Sequence, residues 1–420
     1  MKGKGWIVAI VLGPGLALAL LGGLLGAPPL PSVHAAGAPQ DGLTPLVDLL
    51  NADGTLNLSS GFSGALDPAG WRMEYGAGGT PVFKPANEPA ALLSPGKEWH
   101  ALGSGVNDGV VAIAVAGADV YAGGYFTDTG GIASADHIAR WDGAAWHALS
   151  PALNSAVCAI AVAGTDVYVG GGFLNAGGDA DADYIARWDG STWNALGSGL
   201  NNTVYAIAVE GPNVYAGGWF TDAGGNSNAD HIARWDGSSW HALGSGLNGG
   251  VFAIAVAGSN VYAGGGFDGR IARWGGSSWN LFGGYPRYGM VFALAVEGPN
   301  IYAGGDWVAA RWDGSLWNDV GGGLSGTVEA IVVEGPNVYM GGRFWDAGGN
   351  ANGDHIARWD GSSWNALGSG LNEGVYAVAV VGPEVYVGGT FTDAGGDANA
   401  DRVARWGTVY RVYLPLVMRH

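Results

Sequence analysis

The sequence predicts an all-β fold, a seven-bladed β-propeller of four-stranded blades, on the basis of three observations. The triplet Ala-Arg-Trp occurs seven times, with its Trp at positions 141, 188, 235, 274, 312, 359 and 406. A second Trp series has the same spacing, with members at positions 99, 146, 193, 240, 279, 317 and 364. Each unit contains four short apolar segments, and such units of about 40 to 50 residues are typical of propeller blades.

The four segments of the third unit illustrate the strand assignment. Strands a, b, c and d of this unit are predicted at Val204–Val209, Val214–Phe220, His231–Trp235 and Ser239–Leu243. The segments are rich in Val, Ile, Tyr and Trp, and the turn sequences Glu-Gly-Pro-Asn, Gly-Gly and Asp-Gly-Ser-Ser bound them. Segments this short and this regularly interrupted favour strands over helices.

The two ends of the repeat region predict how the ring closes. A d-type segment around Trp99 precedes the first a strand, whereas the last c strand, which ends at Trp406, is followed by no d strand of its own. We therefore expect the N-terminal d strand to complete the seventh blade. Closure of this kind pairs two sheet edges that would otherwise be open, so removal of residues 97–105 should destabilise the ring.

The repeats resemble kelch repeats over residues 98–406. Val-Tyr-Ala-Gly-Gly at 214–218 stands in the place of the kelch double glycine, and Trp240 in the place of the fourth-strand Trp. The sequence of residues 356–371 is similar to repeats of the fungal cortical cell-polarity marker family and related secreted bacterial proteins. This resemblance implies a fold and transfers little chemistry.

Residues 1–35 have the pattern of a signal peptide. Two lysines precede an apolar stretch from Trp6 to about Gly26, and a small-residue cleavage pattern ends near Ala35. The alternative is a retained membrane anchor, because the stretch is long enough to span a bilayer, although Pro14 and several glycines weaken a permanent helix. The prediction is export to the extracellular space or surface, without membrane insertion of the mature chain.

Two further segments lie outside the repeats. Residues 36–97 are predicted to form an N-terminal extension with short strands, for example at Asn51–Leu58 and Trp71–Tyr75. Residues 408–420 form an apolar tail that departs from every repeat and resembles terminal sorting or docking segments of some secreted bacterial proteins.

Charge and cysteine content exclude several classes of partner and site. The formal net charge is -18, and beyond the leader the only lysines are Lys84 and Lys97, so nucleic acid and anionic lipid are poor partners. Cys158 is the only cysteine, which excludes disulfides within the chain and any site with several cysteine ligands.

The loops between strands b and c suggest a metal site. Five of them are acidic and rich in amides, and Asp179, Asp181 and Asp183 place oxygen donors at i, i+2 and i+4, a spacing that suits calcium. The alternative is a solvated turn, because Asp and Asn side chains hydrogen-bond their own backbone. Calcium is the one cofactor that the sequence leaves open.

Residues that recur in every blade are interpreted as scaffold. His137, His231 and His355 occupy equivalent positions in different blades and cannot converge on one metal. The Arg that precedes each strand c Trp is expected to point between blades toward carboxylates such as Asp142 or Asp236. Both Trp series are expected to lie mostly in the core between sheets.

Blades four and five break the repeat together and predict a ligand site. Their loops between strands b and c are short, and an irregular segment connects the two blades. Loops of these two kinds share one face of a propeller, so aromatic and charged side chains from both should border a common notch that could hold a sugar ring. The competing explanation for the irregular blades is sequence drift after a deletion, without any ligand site. The predicted ligand-binding residues are Arg270, Tyr285, Arg287, Tyr288, Asp306 and Trp307.

These features predict a secreted or cell-surface binding or scaffold propeller without catalytic activity. It would recognise protein or glycan ligands on its loop face as a monomer. The sequence contains no nucleophile elbow, phosphate loop, zinc motif or dinucleotide fingerprint. Two alternatives stay open, namely a secreted hydrolase or lyase that uses the propeller face, and a calcium-dependent adhesion module.

Overall fold

The computed structural model describes residues 44–45, 50–51, 66–67, 71–75, 81–85, 97–282, 289–306, 308–322 and 324–408. The chain divides into two compact units, the larger of which contains Lys97–Gly407. Of the smaller unit, the described strands form two pairs. Thr44–Pro45 pairs in parallel with Leu66–Asp67, and Trp71–Tyr75 pairs antiparallel with Pro81–Pro85.

The larger unit is the predicted seven-bladed propeller of four-stranded antiparallel sheets. The a strands are Val110–Ala116, Val157–Ala163, Val204–Glu210, Val251–Ala257, Val291–Glu297, Thr327–Glu334 and Val375–Val381. The b strands are Asp119–Gly124, Asp166–Gly171, Asn213–Gly218, Asn260–Gly265, Asn300–Gly305, Asn337–Arg343 and Glu384–Gly389.

The outer strands complete each blade. The c strands are Ile138–Trp141, Ile185–Trp188, Ile232–Trp235, Ile271–Trp274, Val308–Trp312, Ile356–Trp359 and Val403–Thr408. The d strands are Trp146–Ala148, Trp193–Ala195, Trp240–Ala242, Trp279–Leu281, Trp317–Asp319, Trp364–Ala366 and, for blade seven, Lys97–Ala101. Five blades carry a single 3₁₀ turn between strands b and c, at Thr129–Gly131, Ala176–Gly178, Ala223–Gly225, Ala347–Gly349 and Ala394–Gly396.

The predicted ring closure is confirmed. In the seventh sheet the strand order is Val375–Val381, Glu384–Gly389, Val403–Thr408 and then Lys97–Ala101 from the beginning of the propeller. Neighbouring a strands contact one another around the whole ring, and the last of them contacts the first, Val110–Ala116. The a strands therefore surround a central channel.

The double glycine at or near the end of each b strand is required by close packing. In blade three, a Cβ on Gly217 would lie 2.6 Å from Val251 Cγ1 of the next blade, and one on Gly218 would lie 2.1 Å from the Thr203 carbonyl oxygen. Any larger residue would push neighbouring blades or strands apart. The glycines thus set the distance between sheets.

Aromatic residues fill the space around the sheets. Six blades carry a fully buried Phe two positions after the double glycine, namely Phe126, Phe173, Phe220, Phe267, Phe344 and Phe391. The strand c and strand d Trp of all seven blades form tilted pairs with ring centroids 5.2–5.7 Å apart. The strand d Trp is buried in five blades, whereas the strand c Trp is only partly buried. The predicted Trp core is therefore concentrated in the d series.

The arginine of strand c does not have the predicted partners. Arg140 donates to Asp119, and Arg234 to Asn213, both at the start of strand b in the same blade. The reason is register, because Arg140 lies opposite Tyr121 and therefore diagonal to Asp119 on the same face of the sheet. Asp142 instead accepts two backbone N–H groups of its own turn. Asp236 does the same.

Some predictions concern residues outside those described. They include the signal peptide at 1–35, most of the segment predicted as a strand at 51–58, and the tail from residue 409 onward. Within the described part of the chain, no helix has the length and apolar character needed to cross a membrane.

Candidate ligand site at the mouth of the central channel

One side chain from each a strand faces the central channel. These side chains are Val111, Cys158, Tyr205, Phe252, Phe292, Glu329 and Tyr376, and they belong to the residues that line a cavity of about 110 Å³. Each occupies the second position of its a strand, or the third position in blade six. The channel is therefore lined by seven different side chains from one structural position.

A β-bulge causes this orientation. In blade three, Val204 pairs with Gly218 and Ala206 with Gly217, so that Tyr205 between them has no partner in the ladder. The same irregularity occurs at the start of every a–b pair. An unpaired bulge residue changes the direction of its side chain, and bulges are frequent beside ligand sites.

Aromatic side chains dominate one mouth of the channel, on the face that carries the loops between strands b and c. The Phe252 ring lies 5.5 Å from Tyr205, 5.8 Å from Phe292 and 5.8 Å from Trp219, measured between ring centroids. Trp219 directly follows a double glycine, and Tyr125 is the equivalent residue of blade one. Tyr125, Trp219 and Tyr205 remain 55%, 40% and 37% exposed. Large aromatic faces are thus accessible to a ligand at this mouth.

An ion pair lies on the opposite side of the mouth. Arg343 Nη2 donates to Glu329 Oε1 at 2.7 Å, and the Glu329 side chain is only 14% exposed. Burial raises the pKa of Glu329 above its usual value, while the hydrogen bond and charge of Arg343 oppose that rise. The charge of Asp306 makes a smaller contribution that raises the pKa of both side chains.

The single cysteine lines the same cavity. Burial raises the pKa of the Cys158 thiol to about 11. Burial also raises the pKa of Tyr125, and the nearby groups Cys158, Tyr205, Asp108 and Tyr376 add to that effect. These groups from several blades are therefore close enough to influence one another at a single mouth.

The predicted notch of blades four and five is only partly described. Tyr285, Arg287, Tyr288 and Trp307 lie outside the described residues. Arg270 has a φ of 60° and shares the left-handed position before strand c with His137, Tyr184, His231, His355 and Arg402. Asp306 Oδ2 accepts the Met290 N–H at 3.0 Å and lies beside the channel mouth. No hydrogen bond or ion pair joins Arg270 to Asp306, and the notch as a ligand site stays a prediction.

The predicted calcium loop uses two of its carboxylates for its own turn. Asp183 Oδ1 accepts the Asn175 N–H at 2.7 Å, and Asp179 Oδ1 accepts the Asp181 N–H at 3.0 Å. No group of three or more His, Cys, Asp or Glu side chains suited to a metal ion occurs among the residues whose placement is described. Calcium binding by Asp179, Asp181 and Asp183 stays a prediction.

The sequence contained a signal for the channel mouth that the search for motifs missed. The residue after the first Val of each a strand varies among Val, Cys, Tyr, Phe and Glu, whereas the flanking positions are nearly constant. The residues that are the same in every blade meet the packing requirements of the fold. The variable residue between them is not fixed by packing and can contact a ligand. Only the bulge reveals that these seven variable side chains converge.

Comparison with solved structures identifies the fold. The extracellular domain assigned to a hybrid two-component system from B. thetaiotaomicron is similar, with a TM-score of 0.52 and 9% identity over 74% of this chain and 39% of that chain. The WD40 β-propeller domain of Doa1 has a TM-score of 0.51 and 14% identity, over 73% of this chain and 96% of that chain. At these identities the likeness concerns the fold alone. No protein-family model and no curated protein matches the sequence.

Proposed function

We propose that this chain is a binding module without catalytic activity that recognises an extended segment of a protein at the aromatic mouth of its central channel. The observation that carries the proposal is the convergence of Tyr205, Phe252 and Tyr376 with the exposed rings of Tyr125 and Trp219. Tyr and Trp are the residues that most often dominate the energy of protein interfaces. A rigid ring of seven sheets holds them in place, which lowers the entropy lost on binding.

A selection from a random peptide library displayed on phage tests this proposal. The wild type is compared with the double variant Tyr125→Ala, Trp219→Ala, and with Trp345→Ala as the matched control. Trp345 is 51% exposed but does not line the channel. Selected peptides should bind the wild type and the control equally and the double variant at least about tenfold more weakly. Equal binding to all three proteins, or selection of no peptide, would refute the proposal.

A glycan ligand is the other outcome of the same test. Aromatic faces also stack on sugar rings, so a glycan array is probed with the same three proteins. Glycan binding that requires Tyr125 and Trp219, together with failure of the peptide selection, would replace a protein ligand with a carbohydrate. Binding that the double variant retains would place any glycan site elsewhere, for example at the notch of blades four and five.

Catalysis is the second candidate, and Glu329 is the observation that favours it. A desolvated carboxylate with a raised pKa beside a second acid, Asp306, is a feature of many active sites. We favour binding because Glu329 is ion-paired with Arg343 and is the only charged residue among the described residues that line the channel. Mass spectrometry of selected peptides and glycans after incubation with the wild type and Glu329→Gln separates the two functions. Cleavage by the wild type alone would establish an enzyme.

The same proposal includes that the chain is exported, that its repeats are kelch-like and that it acts as a monomer. The leader pattern of residues 1–35 supports export, and one structural neighbour is itself described as an extracellular domain. Sequencing the N-terminus of the mature protein should give a start near residue 36, and sedimentation should give the mass of one chain. A retained leader or a stable dimer would contradict this part of the proposal.

A further inference from the structure

The geometry points to a cationic side chain, the guanidinium of Arg or the ammonium of Lys, as the group that a peptide ligand inserts into the channel mouth. This inference rests on the proposed function and specifies its ligand. Three features of the mouth carry it, namely its aromatic faces, its excess of carboxylates and its small volume.

Aromatic rings lie together at the mouth. Trp219 and Tyr205 each meet Phe252 edge to face, with interplanar angles of 70° and 76°. Both rings are more than a third exposed, so part of each ring is accessible to a ligand. Because the face of an aromatic ring carries partial negative charge, exposed aromatic rings close together favour a cation.

Charge at the mouth favours a cation as well. Carboxylates of Asp108, Asp306 and Glu329 contribute to the pKa shifts of Tyr125 or of the ion pair there, and among the described residues Arg343 is the one guanidinium that does so. Arg343 is already bonded to Glu329 Oε1, whereas Glu329 Oε2 accepts no hydrogen bond in the described structure. An anion would meet net negative charge, and a purely apolar group would desolvate Glu329 without compensation. The net charge of -18 adds long-range attraction for basic segments.

The volume limits what can enter. The cavity of about 110 Å³ is smaller than the ~150 Å³ cavity in which an engineered protein holds one benzene molecule. It therefore admits the end of one side chain, while the rest of a peptide would lie across the mouth. Aromatic faces together with Glu329 would then contact the inserted charge from several directions.

Two peptides that differ only in charge test the inference. The probes are acetyl-Gly-Gly-Arg-Gly-Gly-amide and the same peptide with citrulline, which has the shape of Arg but no charge. Binding is measured as protection of Cys158, the only cysteine of the chain and a channel residue, from N-ethylmaleimide. The arginine peptide should protect at a concentration at least about tenfold lower than the citrulline peptide. Equal protection by the two peptides, or none by either, would overturn the inference.

Three variants locate the binding site of the charge. Glu329→Gln should weaken protection by the arginine peptide about tenfold, and the control Asp393→Asn, an exposed acid on a loop of the same face, should leave it unchanged. Arg343→Gln should strengthen protection, because it removes the internal competitor for Glu329. An equal loss in Glu329→Gln and Asp393→Asn would indicate nonspecific attraction and overturn the inference. If Glu329→Gln does not fold, Arg343→Gln provides the test. Unchanged or weaker protection of Cys158 in Arg343→Gln would then overturn the inference.

The outcome separates this inference from the proposed function. Displayed peptides that require Tyr125 and Trp219 but contain no necessary Arg or Lys would leave the binding function standing and refute the cationic ligand. A selection that yields no peptide dependent on those two aromatic residues would refute the function itself.

Discussion

The indole rings of Trp99 and Trp406 lie 5.3 Å apart, although the two residues come from opposite ends of the propeller sequence. The Trp99 indole nitrogen also donates to the Leu367 carbonyl oxygen of blade six at 3.2 Å. The first d strand therefore makes the same contacts as the d strands that follow their own blades. In blade three, for example, Trp240 contacts Trp235 and donates to the Leu196 carbonyl.

Replacement of Trp99 tests whether ring closure is as stabilising as any internal blade contact. Trp99→Ala should lower the free energy of unfolding by about 3–5 kcal/mol, because a buried indole and its hydrogen bond are lost. The matched variant Trp240→Ala removes an equally buried residue from blade three and should cost a similar amount. Urea unfolding measures both. A chain that begins at residue 106 and keeps wild-type stability would show that the closing strand contributes nothing.

The double glycine of strand b gives a second prediction. Gly217→Ala should destabilise the propeller by about 1–3 kcal/mol, because the new Cβ would overlap Val251 and force two blades apart. Gly275→Ala is the control, since a Cβ there meets no atom within 4 Å and the backbone is not left-handed. Thermal unfolding of the two variants should differ clearly. Similar melting temperatures would mean that the sheets adjust freely to an added methyl group.

The reactivity of Cys158 should depend on pH in a way that reports its burial. Because burial raises the pKa of the thiol to about 11, the thiolate that reacts is scarce at neutral pH. The alkylation rate of the folded protein should rise about tenfold for each pH unit between pH 7 and pH 10. The same protein in urea should reach half of its maximal rate at about pH 8.5, as an ordinary thiol does. A plateau below pH 9 in the folded protein would contradict the prediction.

The turns between strands c and d predict a loss of stability in acid. Backbone N–H groups of Ser239 and Ser238 hydrogen-bond Asp236 and hold the pKa of its carboxyl well below its usual value. A carboxyl whose pKa is lower in the folded than in the unfolded chain stabilises the fold at pH values above its unfolded pKa of about 3.8. This contribution is lost as the pH falls from there through the folded pKa. The pKa values of Asp142, Asp189 and Asp313 are lowered in the same way, chiefly by backbone N–H groups. For Asp360 the Ser362 hydroxyl is the largest cause, followed by backbone N–H groups.

Asp236→Asn removes the charge and changes the contact of Asp236 Oδ2 with His241 Nε2, 2.6 Å away, while the amide oxygen can still accept the turn hydrogen bonds. The variant should melt below the wild type at pH 7, and the difference should be smaller at pH 2, because at that pH the unfolded chain but not the folded one has gained a proton at Asp236. Melting temperatures at the two pH values provide the measurement. A difference that is the same at both would show that the negative charge plays no part.

The sequence by itself determined the number of blades, their strand order and the closure at Trp99, because these depend on local patterns that repeat seven times. Turn residues, the double glycine and alternating apolar segments can each be recognised in a stretch of a few neighbouring residues. The strand c arginines were predicted to point between blades toward Asp142 or Asp236, which is wrong, because strand register places Asp119 of the same blade diagonal to Arg140.

The candidate ligand site was decided by the tertiary structure alone. Tyr205 and Glu329 lie in different repeats, and nothing local indicates that a bulge turns both toward one channel. The sequence instead predicted a site at the loops of blades four and five, and of the described residues there Asp306 raises the pKa of Glu329 through its charge. The physical reason is that repetition specifies each blade separately, whereas a site at the axis forms only when seven blades close into a ring.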